Sequence, residues 1–106
     1  MERRLTAILV ADVVGFSKLM GKDEAGTLIA VKGLWNELLE PRVAEYRGRI
    51  VKLMGDGALV EFSSVVDAVK CAIVAQRDAA DRNSESQTDK RIEMRIGVNL
   101  GDVIIE

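Results

Sequence analysis

The sequence predicts an α+β fold: a four-stranded antiparallel sheet with helices on one face. Three observations predict it. LTAILVADVV (5–14) is apolar at nearly every position, which suits a central strand buried on both faces. Two later stretches carry apolar residues at helical spacing. Between them, VKLMGDGALVEF (51–62) is two short apolar runs broken by Gly55-Asp56-Gly57, the pattern of a hairpin.

The first strand lies near the start of the chain. Arg3 and Arg4 precede it, as basic residues precede the apolar run of a signal peptide. That apolar run meets Asp12 after seven residues and shows no small-residue cleavage site, so it reads as a strand. Gly15, Ser17 and Gly21 then loosen the chain. A helix is expected from about Asp23, which can cap it, with Glu24 in a first turn that favours acidic residues. Leu28, Val31, Trp35, Leu38, Leu39, Val43 and Tyr46 keep its period. Pro41 is expected to kink or divide it, and Gly48 to end it. The hairpin follows, with RIVKLM and ALVEFS on either side of the turn. SVVDAVKCAIVAQRDAADRN (64–83) is a second helix with a broad face of small residues for close packing. SESQTDK (84–90) is polar and reads as a mobile loop. RIEMRIGVNLGDVIIE (91–106) gives a last strand, or a bent pair turned near Gly101-Asp102. No repeat, low-complexity tract or linker interrupts the chain, and one domain accounts for residues 1–106.

The order β-α-β-β-α-β fits the ferredoxin-like split βαβ arrangement. A right-handed crossover makes strands one and two parallel with room between them. Strand three fills that gap, antiparallel to both. The end of strand one and the hairpin tip then share one end of the sheet. Asp12 and Asp56, far apart in sequence, are brought to one place.

Composition narrows the chemistry. With 15 basic and 17 acidic residues the formal net charge is −2, which leaves no basic excess for a nucleic-acid surface. No apolar run is long enough for a membrane span. The single Cys71 cannot form an internal disulfide, which fits a reducing, cytoplasmic compartment. There is no histidine, so triads, ligands and bases built on imidazole are excluded. Carboxylates, lysines, backbone groups and a metal remain. Cys71 shares a helical face with Ala68, Ala72 and Ala75 and reads as core, as does Trp35 on its apolar stripe.

Two carboxylates at one sheet end have two readings. In one, Asp12 ends a strand and Asp56 supplies turn chemistry. In the other, they hold a divalent cation. Mg²⁺ takes a few hard oxygen ligands and keeps its other positions for water and phosphates. Asp12 inside an apolar run is the harder residue to explain structurally, since a buried carboxylate without a partner is costly. Beside it, VVGFS (13–17) turns from strand to helix. Gly15 lets that backbone approach a ligand closely, and its N–H groups can face phosphate oxygens.

LVADVVGFSKLM, GRIVKLMGDGALVEF and MRIGVNLGDVI, in this order and spacing, resemble the N-terminal portion of a class III adenylate/guanylate cyclase catalytic domain. The resemblance runs from about Leu5 to the last residue. It implies that Asp12 and Asp56 are catalytic and bind two ions, Mg²⁺ or Mn²⁺, with the Val13 carbonyl as a further ligand. It implies that Val14, Gly15, Phe16, Ser17 and Gly55 bind the nucleotide, and that Lys52, four residues before Asp56, reads the base. Guanylate cyclases usually carry an acidic residue at that position, so Lys52 argues for ATP over GTP. The family pairs two domains head to tail and builds each site between them, so a homodimer or higher oligomer is implied.

The family domain continues beyond the matched portion. The rest carries the second base-reading residue and the groups that stabilise the transition state. The 106 residues by themselves are therefore expected to turn over little or nothing. Two functions compete. One is an enzyme, a phosphorus–oxygen lyase of signal transduction that makes cyclic AMP and pyrophosphate. The other is a non-catalytic regulatory or dimerisation module of the same fold. Asp12, Asp56 and Lys52 are all present, which favours the enzyme. A polymerase-like palm shares the carboxylate pair but would bind nucleic acid, against the near-neutral charge.

Overall fold

The computed structural model describes residues 2–86 and 91–105, with side-chain surroundings for 4–86 and 91–101. Strands β1 (Glu2–Val13), β2 (Arg49–Met54), β3 (Gly57–Phe62) and β4 (Met94–Ile105) form one sheet in the order β2-β3-β1-β4. β1 is antiparallel to both β3 and β4, and β2 to β3. This is the expected α+β, ferredoxin-like sheet. One expectation for β1 needs correction. Ala7, Leu9, Ala11 and Val13 are buried under the helices, while Val10 on the other face is 41% exposed. The strand is apolar on both faces, yet on the second face Thr6 is buried while Ile8 is only half-buried and Val10 exposed.

Between β1 and β2 the helical stretch is segmented. α1 (Phe16–Lys22) forms where the glycines were expected only to loosen the chain. α2 (Glu24–Gly33) starts where expected, and the Asp23 carboxylate accepts from the Gly26 N–H at 3.0 Å. A π-helical turn covers Leu34–Leu39, and α3 (Glu40–Glu45) follows with Pro41 in its first turn. Proline has no N–H and its ring crowds the carbonyl four residues back. The chain meets this by winding wide just before it, so that the Glu40 N–H donates to the Trp35 carbonyl, five residues back.

The end of α3 departs from the expected use of Gly48. The left-handed residue there is Arg47, at φ 63°. The Gly48 N–H donates to the Val43 carbonyl at 2.8 Å, closing the last turn. Gly48 is small for another reason. A Cβ on it would stand 2.5 Å from Cε2 of Phe62, whose ring is fully buried.

α4 (Val65–Ser84) is capped by the Ser64 hydroxyl, which accepts from the Asp67 N–H, and packs through Ala68, Cys71, Ala75 and Ala79. Burial pushes the Cys71 thiol up to about 11, so it stays protonated at neutral pH. Arg42 ties α3 to α4 through Asp78 at 2.6 Å. Asn83 donates to the Ile92 carbonyl at 2.7 Å and accepts its N–H at 3.0 Å, fixing the approach to β4. Of the polar stretch 84–90, Ser84 is still helical and residues 87–90 lie outside the described ones. No turn forms at Gly101-Asp102. β4 runs straight on, with Gly101 opposite Thr6 and Asp102 opposite Leu5.

Candidate functional site

Asp12 stands one residue from the end of β1. The register sets it opposite Gly57 on β3 and Arg95 on β4. Asp56 stands at the tip of the β2–β3 hairpin, next to Gly57. The Val13 N–H donates to the Asp56 carbonyl at 3.1 Å, so the end of β1 is fastened to the hairpin tip. The two carboxylates thus share one end of the sheet, as the topology requires. The backbone position of Asp102 is far from both. It lies seven residues beyond Arg95 along β4, roughly 23 Å away at about 3.3 Å per residue.

Arg95 is the member of this cluster that the sequence analysis missed. Its Nε donates to Asp12 Oδ1 at 2.9 Å and its terminal nitrogen to Oδ2 at 3.1 Å. This two-point ion pair holds the Asp12 carboxyl below its ordinary range, through the hydrogen bonds first, with burial opposing and charge attraction adding. Because the folded-state value lies below the unfolded one, the pair stabilises the fold above about pH 4. That contribution is lost as pH falls through the lowered value. It is small, because the Asp12 side chain is 40% exposed. In Arg95→Gln the Asp12 carboxyl is expected to titrate at higher pH, followed by carbon-detected NMR. An unmoved midpoint would mean that the pair does not persist in solution. The antiparallel register, which only pairing reveals, is what sets Arg95 beside Asp12.

The connection after β1 turns at Val14 and Gly15. Gly15 takes φ 66°, a left-handed conformation that other residues adopt only with strain. Ser17 is exposed in the first turn of α1, and Phe16 packs against the core. A Cβ on Gly55 would lie 3.9 Å from the Phe16 ring, so this turn and the hairpin tip are neighbours. Val13, Val14, Gly15, Phe16, Gly55, Asp12 and Asp56 therefore form one region.

Lys52 lies apart from it. The β2–β3 register shifts between Ile50 and Lys52, leaving Val51 as an extra residue. Ile50 lies opposite Val60 on the helix side and joins the core. Past the bulge Lys52 lies opposite Leu59, on the face that Asp12 shares. Without the bulge, Lys52 would pair with the buried face. Two strand spacings, roughly 10 Å, still separate Lys52 from β1.

The oxygen donors suit a hard divalent cation. Asp56 is exposed, and its carboxylate has no hydrogen bond among the described residues. Each Asp12 oxygen accepts one hydrogen bond from Arg95 and keeps a further lone pair that could face a cation. Among the described residues no cluster of three or more carboxylates, histidines or cysteines forms, so the remaining positions would fall to backbone, water and substrate. No helix there is long and apolar enough to cross a membrane.

No protein-family model matches the chain. "Putative adenylate cyclase 3" of Rhizobium meliloti (strain 1021) is 48% identical over all 106 residues, which are 18% of that protein. "Serine/threonine-protein kinase pkn2" of Myxococcus xanthus is 26% identical over 97 residues, 12% of its length. Among solved structures, an adenylate/guanylate cyclase/hydrolase from Silicibacter pomeroyi is 41% identical, with TM-score 0.87 over 99% of this chain and 61% of that one. The adenylyl cyclase CyaB from P. aeruginosa is 25% identical with TM-score 0.80, over 95% of this chain and 58% of that one. The guanylyl cyclase Cya2 superposes at TM-score 0.81 and 24% identity, over 95% of this chain and 56% of that one, a likeness of fold. The chain therefore spans about three fifths of these three solved cyclase chains, and a smaller share of its curated relatives.

Proposed function

We propose that this chain, which is similar in sequence and fold to part of the adenylate/guanylate cyclase domains it matches, forms part of an enzyme converting ATP to cyclic AMP and pyrophosphate. The observation that supports the proposal is that Asp12 and Asp56 lie at one end of the sheet, where the Val13 N–H donates to the Asp56 carbonyl. Asp12, Asp56 and the Val13 carbonyl would hold two Mg²⁺ or Mn²⁺ ions. Bound there, the metals supply charge neutralisation on the triphosphate and a more acidic ribose 3′-hydroxyl. The residues themselves orient and bind. Asp56 presents a preformed carboxylate at the rim. Arg95 holds the Asp12 carboxylate aimed through a two-point ion pair until a cation competes for it. The backbone from Val14 to Ser17, bent by Gly15, lies where phosphate oxygens would rest.

Lys52 carries the base preference. Its ammonium donates to the acceptor nitrogens of adenine and meets mostly donors on the guanine edge. Roughly two strand spacings from Asp12, it serves a site completed by a second copy. The partly exposed sheet face around Val10 supports such pairing. The 106 residues alone would pair but turn over little. An ATP-using enzyme with a buried, lone Cys71 suits the cytoplasm.

The test extends the chain to the full length of the matched cyclase domains and measures turnover of ATP and GTP with Mn²⁺. ATP is expected to be preferred. Lys52→Glu is expected to lower kcat/KM for ATP about tenfold or more while sparing GTP, since one misplaced charge–hydrogen-bond contact is worth roughly 1.5–3 kcal/mol. Equal losses with both nucleotides would remove Lys52 from base selection. No turnover of either, with intact Mn²⁺ binding, would favour the regulatory module.

A further inference from the structure

The hairpin that carries Asp56 has an unusual need for support. Met54 pairs with Gly57, so Gly55 and Asp56 alone make the turn. Two-residue hairpin turns usually take positive φ, because that twist matches the flanking strands. Neither Gly55 nor Asp56 has positive φ; among the described residues Gly15 and Arg47 do. The tip is also flanked by glycines and exposed, with little side-chain packing of its own.

Two hydrogen bonds from outside the hairpin hold it. One is the Val13 N–H on the Asp56 carbonyl. The other comes from the helical layer. Trp35, 3% exposed and set in the π-helical turn, donates its indole N–H to the Gly55 carbonyl at 3.3 Å. The core thus reaches through one rigid side chain to the peptide beside Asp56. A tryptophan needs such a partner when its ring is buried. Here that partner is the main chain of the candidate site.

We propose that Trp35 is a positioning residue for metal binding: its indole N–H fixes the Gly55-Asp56 turn so that the Asp56 carboxylate is held in its ligating place. This rests on the reading of Asp56 as a metal ligand. Ordering the turn in advance removes part of the entropy that ligation would otherwise lose. Groups that orient a metal ligand in this way typically change metal affinity about 10–100-fold when removed.

The experiment measures Mn²⁺ binding to the purified chain by electron paramagnetic resonance, for wild type, Trp35→Phe and Asp56→Asn. Phenylalanine keeps most of the packing and removes the donor. Trp35→Phe is expected to weaken Mn²⁺ about tenfold, with a melting temperature within about 5 °C of wild type. Wild-type affinity in Trp35→Phe, alongside weakened binding in Asp56→Asn, would overturn the proposal and leave the metal site standing. Unchanged binding in Asp56→Asn would overturn the metal reading and the proposal with it. Should Trp35→Phe lose its fold, the wild type decides. The chain has one tryptophan and therefore one indole N–H signal. Mg²⁺ is expected to shift that signal in wild type and not in Asp56→Asn. A signal that Mg²⁺ leaves in place would overturn the proposal.

Discussion

Replacing Asp56 by asparagine is expected to abolish measurable cyclisation in the extended chain while leaving the fold intact. The substitution keeps the size of the side chain and removes its charge. The metal contribution to such a reaction is several kcal/mol, and each 1.36 kcal/mol is a factor of ten in rate. A loss of about a hundredfold or more follows if Asp56 is a ligand. Stability should hardly change, because exposed positions away from caps and cores usually respond within about 0.5 kcal/mol. Asp56 is exposed, and what fastens the tip are the carbonyls of Gly55 and Asp56 rather than the carboxylate. Turnover and thermal melting, measured on the same preparation, decide between site and scaffold. Asparagine turning over within threefold of wild type would count Asp56 as turn chemistry only.

Phe62→Ala is expected to have the largest effect on stability. Phe62 is among the largest fully buried side chains, at the end of β3. Its ring lies on Gly48 at the close of α3. Its carbonyl accepts from the buried Thr6 hydroxyl at 2.7 Å. Removing a buried phenylalanine side chain costs about 3–5 kcal/mol, against a total of about 5–15 kcal/mol for a domain of this class. A fall in melting temperature on the order of 20 °C follows. Gly48→Ala probes the same contact from the other side, since the new methyl would overlap the ring. Overpacking of this kind costs about 1–3 kcal/mol. The two changes are in contact and should not add, and in a Phe62→Leu background Gly48→Ala should cost less. Additive losses would show that the ring and the glycine do not share the constraint.

Much of this was legible because local chemistry agreed with the fold. The Asp23 cap, the small-residue face of the second helix and the hairpin around Gly-Asp-Gly are short-range signals, and each appears where it was read. The meeting of Asp12 and Asp56 was also legible, since strand order and crossover hand fix which ends coincide. The π-helical turn was not. Pro41 announces a disturbance, but how the preceding residues absorb it depends on what they pack against. A glycine past a helix usually marks its stop, yet Arg47 takes the left-handed conformation here and Gly48 makes room for a ring fourteen residues on.

By itself, then, the sequence determined the strands, the hairpin and the long second helix, their order, and the presence of two carboxylates and a lysine near them, because composition, periodicity and turn residues act over a few positions. Only the tertiary structure decided how those groups are held. The register of β4 against β1 pairs Arg95 with Asp12 across 83 residues of chain. A bulge at Val51 sets the face that Lys52 shares. The indole of Trp35 reaches the hairpin from a different layer. Register, bulges and interlayer hydrogen bonds depend on which chemically similar partner lies opposite, and that is fixed when the core packs as a whole.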